Sequence, residues 1–561
     1  MNDIKAILSL YHFNIQFVAG AVHTYDEIIF ESFEPFLDLY LAHPKWKCDL
    51  ELQGYFLEYL KEHYPHIIDK LRLLINRGQI ELVSAHYSDQ IWLAYPRYDM
   101  VKSVTINDSL LSELNIKRSS VFFTQENFFG EGAFSFMKEY GFKIATITKD
   151  YYEYLHGEEK LYPYYEYNDI IVLIATPPRR RRPIVNEYED VKWTWVWYGD
   201  GEPLLTGRSP MFSKSLTYRE DLRLQFEQII EDLEKHGFTM YTISEYVDML
   251  KKQGLAPARL SRIVDGSWNM RVSLGVFMWM GVYMNPYERD CEARSLTFKS
   301  RKYLLACETL LNYARNQGLN IDKESFLIRE GWKHQLRAEA SDSTGWFPAL
   351  VEAFYSDIEA KAALAHARYV ITLLKKKLGF KGKLTVNTFT GEISSKSLEE
   401  KRNISKAHPP IPLQVIGASS YELECYRVER DQYTIDLRFT PELMVSFVGV
   451  IFPLLSDEIG YSPALEEDRL VYINLNDFKF ERISLPLPNG LISLNKDTFI
   501  IKHNEYMHVA FSIDKSLRGC GFILRTPPQR SFSWKLTIFK GSEKEALELA
   551  KRINVFPTVT I

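Results

Sequence analysis

Cysteine is scarce in this chain: Cys48, Cys291, Cys307, Cys425 and Cys520 are all there is in 561 residues. They are scattered, odd in number and never spaced CxxC. That argues against a disulfide framework or a thiolate zinc site and for reduced thiols in a cytoplasmic protein. Long apolar runs are missing as well, and no stretch of about 20 apolar residues marks a membrane span. Residues 6–22 come nearest to a signal-peptide core, but His12, Asn14 and Gln16 interrupt them, as suits a strand inside a barrel. A surplus of one charge is also lacking. With 68 basic against 73 acidic side chains the net charge is −5, a poor match for a nucleic-acid partner. Internal repeats and low-complexity tracts are absent. What the chain does have is apolar and aromatic content, 46% and 14%. That is ample for burial at a length that calls for two or three domains.

Residues 1–255 alternate strand and helix. AILSLYHF reads as a strand and 27–42 as a helix; CDLELQ is a strand and GYFLEYLKEHYPHIIDKLRLLINRG one helix ending at Gly78. ELVSAHY is the next strand and 98–114 the next helix, and 219–236 opens a last helix–strand–helix repeat. The rhythm implies a parallel sheet with helical crossovers, as a barrel or an open sheet. Residues 291–380 carry long helical periodicity. From about 384 short β-rich runs such as YTIDLRF, LVYINL and WKLTIF follow one another between turn residues, the pattern of a β-sandwich. The expected division is 1–260, 261–382 and 383–561.

Two segments carry chemistry. In WTWVWYGDGEPLLTG (193–207), alternating Trp193, Trp195 and Trp197 predict a strand with one aromatic face, running into Asp200-Gly201-Glu202. In SSVFFTQENFFGEGAFSFMKEYGFKIATI (119–147), a β-rich run ends at Glu126, a Gly-bracketed loop holding Glu131 follows, and a helix is expected near 133–140. Carboxylates at strand ends among aromatics suit sugar chemistry: C–H faces stack on rings, and an acid must reach the glycosidic oxygen. The plainer alternatives are a core strand with a solvated turn, and an ion-paired loop carboxylate.

These residues resemble glycoside hydrolase family 57, a family of retaining enzymes acting on α-glucans. Five short motifs carry the resemblance. YHFNIQF keeps His12 of the first, with Asn14 where the family has a second histidine. RGQIELVSAHY supplies Gly78, Gln79 and Glu81 of the second, although Tyr87-Ser88-Asp89 replaces a glutamate that the family carries just beyond it. Phe123, Glu126, Phe129 and Gly132 fit the third, with Phe123 for tryptophan. Asp200-Gly201-Glu202 meets the fourth. HQLRAEASDSTGWFP supplies Leu336, Arg337, Ala338, Asp342 and Trp346 for the fifth.

The resemblance implies an incomplete (β/α)7-type barrel with an appended helical region, an oligo- or polysaccharide substrate and no cofactor. It implies Glu126 as nucleophile and Asp200 as general acid/base, the latter with a pKa raised by apolar walls and by the charge of Glu126. Substrate contacts are expected from His12, Asn14, Glu81, His86, Trp197, Glu202, Trp268, Trp279, Arg337, Asp342 and Trp346, with Asp342 and Trp346 facing the two carboxylates. Several have a plainer reading. His12 is also a candidate satisfied core histidine, and Trp268 and Trp279 could pack barrel against helices. Arg179 to Arg182 read more simply as a proline-flanked solvated loop than as an anion site. The alternatives in other classes are a non-catalytic carbohydrate-binding protein on the same scaffold and a metal-dependent α-mannosidase or polysaccharide deacetylase. His12-Phe13-Asn14 faintly matches the His-x-Asp metal motif of the latter, but asparagine is a poor zinc ligand, so no metal is expected. Hydrolysis against transfer, linkage and the oligomeric state stay open, a homo-oligomer among the options.

Overall fold

The computed structural model describes residues 3–15, 23–157, 159–208, 215–261, 263–273, 275–280, 290–341, 350–395, 404–429, 431–442, 447–478, 480–507, 509–525 and 531–561. The first half is built from β1 (Ile4–Phe13), β2 (Cys48–Leu52), β3 (Ile80–Val83), β4 (Val121–Phe122), β5 (Ile144–Thr148), β6 (Tyr165–Tyr167), β7 (Ile170–Ala175), β8 (Val185–Tyr188), β9 (Val191–Asp200), β10 (Thr239–Met240) and β11 (Ala258–Arg259). They form two sheets. One has the order β3-β2-β1-β9-β8, with β10 also on β1; the other has the order β11-β6-β7-β5-β4. The β1–β2, β2–β3, β1–β9, β4–β5 and β5–β7 ladders are all parallel. The sheets meet where the Ser119 N–H, just before β4, donates to Leu82 O of β3 at 2.9 Å. β1 lies between β2 and β9 and is buried along nearly its whole length, which is why it reads as a continuous apolar run rather than an alternation.

The expected single helix over 54–78 is two helices, Gly54–His63 and Pro65–Asn76. Pro65 has no N–H to continue the first helix and sits at the first position of the second, where none is needed. The helices Arg97–Glu113, Ala133–Glu139 and Glu220–Lys235 fall where periodicity put them. Beyond β11, three long helices, Asp290–Asn316, Asp322–Ala338 and Leu350–Lys377, pack on one another. The rest is antiparallel: an eight-stranded and a five-stranded sheet whose inward residues, among them Ile435, Leu437, Val448 and Val450, share one apolar cluster. The final strand, Thr558–Thr560, returns to pair with Thr385–Asn387, beside the helices. Four of the five cysteines, Cys48, Cys307, Cys425 and Cys520, are buried free thiols. No described helix is long and apolar enough to cross a membrane.

Candidate active site

Strand register decides which side chains meet. His12 on β1 lies opposite Glu51 on β2 and Asp200 on β9, so all three side chains leave one face at one level, near the strands' C-terminal ends. The β9 aromatics do not form the expected single stripe. A bulge opposite Leu8 and Ser9 inserts an extra residue. Trp193 and Trp195, opposite Ala6 and Leu8, keep the face of His12. Trp197 falls opposite Ser9 and turns to the other face, where it stacks on Tyr11 at 6.2 Å. A bulge inverts the alternation beyond it. Here the inversion brings Tyr198 and Asp200 to the inner face in place of Trp197 and Gly199. Trp197 therefore braces the site from behind, its indole N–H donating to Asp200 O at 2.8 Å. Gly201 is required by close approach: a Cβ there would lie 2.3 Å from the Phe13 ring.

The His12 Nδ1 is hydrogen-bonded to Glu51 Oε2, and His86 Nε2 stands 3.5 Å from Glu51 Oε1. Gln53 donates to Asn14 Oδ1 at 2.9 Å and to Asp89 Oδ2 at 2.6 Å. The Asn14 N–H donates to Glu202 Oε1 at 2.7 Å. His12 Nε2 and Glu202 Oε2 are buried without a hydrogen-bond partner among the described residues. Burial works against a charged His12, but Glu51, Asp89 and Asp200 outweigh it and its pKa stands well above the ordinary value. His86 is shifted down by burial. Asp200 is raised, as its expected role requires. The cause is burial, opposed by His12. Glu202 is pushed up to about 8 by burial and by the charge of Asp200.

Glu126 sits in the turn after β4 with φ +58°, and Asn127 follows at +45°, a left-handed pair that non-glycine residues rarely adopt. The turn is tied down on both sides. Trp268 donates its peptide N–H to Glu126 O at 3.0 Å and its indole N–H to Glu126 Oε2 at 2.7 Å. Tyr198 donates to Asn127 Oδ1 at 3.0 Å, and its ring meets Phe123 edge-on at 5.7 Å, with His12 6.4 Å from the same Phe123. The residue after Glu126 is thus bound to the residue two before Asp200.

Other expected contacts are taken up elsewhere. Glu81 lies opposite Asp49, two residues or about 6–7 Å below the His12 level. Its carboxylate accepts from Ser119 Oγ and, at 2.5 Å, from Ser244 Oγ at the start of the helix Ile243–Lys252, so it joins strand to helix. Trp279 is buried, its indole N–H on Ser267 Oγ and its ring against Phe128. Trp268 is 37% exposed and touches Glu126. Arg337 is engaged by Glu359 (3.1 Å), Tyr87 (3.3 Å) and His334 (2.8 Å) and lies over the Tyr55 ring. Asp342 and Trp346 lie outside the described residues. Arg181 donates through Nη2 to Pro203 O and Leu204 O at 2.8 and 2.9 Å. Sequence reasoning missed Glu51, Gln53 and Asp89. A signal was available: CDLELQ alternates acids with leucines, which in a buried strand puts Asp49 and Glu51 on one face. Asp89 brings a carboxylate to the stretch Tyr87-Ser88-Asp89, which lacks the expected glutamate.

Residues 11–260 match the family model described as glycosyl hydrolase family 57. Over this part, a little under half of its length, the chain is similar to that family. The matched region also aligns with curated relatives. An alpha-amylase of Pyrococcus horikoshii is 27% identical over 243 residues, 40% of this chain and 37% of the relative. A 4-alpha-glucanotransferase of Thermococcus litoralis is 25% identical over 249 residues, 41% and 37% respectively. The alignments thus span little more than a third of those relatives' length. Among solved structures, an α-mannosidase from Enterococcus faecalis V583 superposes with a TM-score of 0.64 at 8% identity, over 99% of this chain and 90% of that one. That likeness is one of fold. It extends past the matched region through the helices and the antiparallel sheets.

The raised carboxyls bear on stability. Glu202, near 8, and Asp265, pushed up to about 7 by burial, keep protons in the folded protein that the unfolded chain releases above about pH 4. Their contribution is full below that pH and is lost as pH rises through the folded values, at up to about 1.4 kcal/mol per unit for each group. Urea midpoints should fall between about pH 5 and pH 8, and Glu202→Gln should flatten the fall. An equal slope in that variant would remove Glu202 from the account.

Proposed function

We propose that the chain is a retaining α-glycosidase or α-glucanotransferase acting on α-glucans of the malto-oligosaccharide type. Glu126 attacks the anomeric carbon while Asp200 protonates the departing oxygen, leaving a glycosyl-enzyme. Asp200 then takes the proton of an incoming water or acceptor hydroxyl, whose oxygen displaces Glu126. The observation that carries this reading is the Tyr198–Asn127 hydrogen bond. It ties the ends of two parallel sheets so that the turn holding Glu126 and the strand end holding Asp200 border one buried polar cluster. Burial keeps Asp200 protonated more readily than an exposed aspartate, as a general acid needs. His12 Nε2 and Glu202 Oε2, buried without partners among the described residues, suit sugar hydroxyls.

In this reading the two parallel sheets are the staves of an incomplete barrel over residues 1–260. The described residues of 261–382 complete the cleft, and those of 383–561 form a β-sandwich. The amylase and glucanotransferase relatives support the substrate class. Incubation with malto-oligosaccharides and separation of products by size tests it. Products longer than the substrate would mean transfer, and only shorter ones hydrolysis. An unchanged size distribution would overturn the reading.

A further inference from the structure

The Glu126 turn is supported from behind by segments far away in sequence, with one buried carboxylate between them. Phe129 and Gly266 exchange both peptide hydrogen bonds, at 3.0 and 2.8 Å, and two residues on Trp268 holds Glu126 by its peptide and indole N–H groups. Asp265, immediately before Gly266, is 1% exposed. Its Oδ2 accepts the Ala464 N–H at 2.8 Å, so it reaches into the antiparallel region. On its other side is Gly130, where a Cβ would lie 2.1 Å from Asp265 Oδ1. The next residue, Glu131, accepts from Tyr167 at 2.8 Å and from Arg469 at 3.3 Å. Arg97 fixes the same stretch of the antiparallel region, donating to Leu465 O at 2.6 Å.

A carboxylate has no apolar reason to be in such a place. Burial without partners is costly, and here one oxygen holds a peptide of a distant segment while the other lies against the loop that follows Glu126. Residues 464–469, the Gly130–Glu131 loop and the Gly266–Trp268 segment are therefore linked through Asp265. We propose that Asp265 is a positioning residue for Glu126, and that residues 464–469 of the antiparallel region are part of the framework of the active site. The inference rests on the reading of Glu126 as the nucleophile for its catalytic consequence, but not for its geometry. Asp265 acts through Gly266, Trp268 and Gly130. An angular error of the Glu126 carboxylate would lower turnover more than binding, because attack on the anomeric carbon depends on alignment.

The test uses the full chain with ¹⁵N-labelled tryptophan. The Trp268 indole N–H signal, assigned by its loss in Trp268→Phe, reports the hydrogen bond to Glu126. Asp265→Ala and Gly130→Ala should each move that signal. Asp265→Asn, whose amide oxygen can still accept the Ala464 N–H, should return it close to the wild-type position. On malto-oligosaccharides the first two variants should lose kcat by about tenfold or more with KM within about twofold. An unmoved Trp268 signal in folded Asp265→Ala or Gly130→Ala protein would overturn the proposal. So would an Asn variant displaced as far as the Ala variant. Should Asp265→Ala not fold, Gly130→Ala and Asp265→Asn decide. If the wild-type protein turns over no malto-oligosaccharide, the glycosidase reading fails, whereas the indole signal still decides the positioning role.

Discussion

Glu126→Gln and Asp200→Asn should each leave a folded protein whose turnover of malto-oligosaccharides is lower by about a thousandfold or more. The two losses have different chemical signatures. Without Asp200, a glycosyl-enzyme can still form on substrates with good leaving groups, and azide needs no general base to attack it. Asp200→Asn with azide should therefore give an α-glycosyl azide. Without Glu126 no glycosyl-enzyme forms, and azide can only enter from the opposite side of the ring, so Glu126→Ala should give the β-anomer. Identical anomers from both variants, or no azide product from either, would sink the assignment of roles. The geometry makes the Asp200 variant the cleaner of the two. Asp200 ends a strand held by the β1 ladder and by Trp197, and asparagine keeps its shape. Glu126 sits in a left-handed turn and is held there by Trp268 through the carboxylate oxygen itself. A glutamine there keeps an acceptor oxygen for the indole, so Glu126→Gln should hold the turn better than Glu126→Ala.

The largest stability effect is expected away from the site. Arg301, on the helix Asp290–Asn316, is 1% exposed and donates through Nε to both oxygens of Asp99, at 2.7 and 2.8 Å. It also donates to Val555 O at 2.5 Å, near the chain's last strand. Asp99 is buried beside Glu339, whose pKa is pushed well above the ordinary value by burial and then by the charge of Asp99. Arg301→Ala would leave Asp99 buried beside a second carboxyl and the Val555 carbonyl without its donor. A loss of about 3–5 kcal/mol in urea unfolding is expected. The double change Arg301→Met, Asp99→Asn, which removes both formal charges, should cost less than the single one. A loss below about 1 kcal/mol for Arg301→Ala would show that the pair contributes little. The bridge connects the helix Arg97–Glu113, a long helix of the middle region and the C-terminal segment, so partial unfolding should not separate these parts.

Much of this architecture was legible in the sequence because local periodicity carried it. The runs Ile4–Phe13 and Arg97–Glu113, and the antiparallel strands after residue 384, follow directly from the spacing of apolar residues. So does the placement of Asp200 at a strand end, since it closes a β-rich run before a glycine-containing turn; Glu126 instead falls in a turn four residues beyond the end of β4. The break at Pro65 was readable too, had the missing N–H been weighed against the helical period of the whole segment.

What the sequence could not determine was which residues share a face across strands, because that depends on pairing and on single inserted residues. The bulge opposite Leu8 and Ser9 reverses Trp197 and delivers Tyr198 and Asp200 inward, and no period-2 pattern announces it. Register sets Glu51 beside His12 and drops Glu81 one layer below, although Glu81 lies in the motif-bearing stretch and Glu51 does not. Asp89 reaches Gln53 only because the loop after β3 folds back over β2. The sequence by itself determined the succession of elements and the strand-end position of Asp200, since these depend on neighbours a few residues away. The tertiary structure alone decided which buried groups set the charge of the site. Burial and His12 act on Asp200, and Asp200 in turn acts on Glu202, through contacts that exist only once distant strands are side by side.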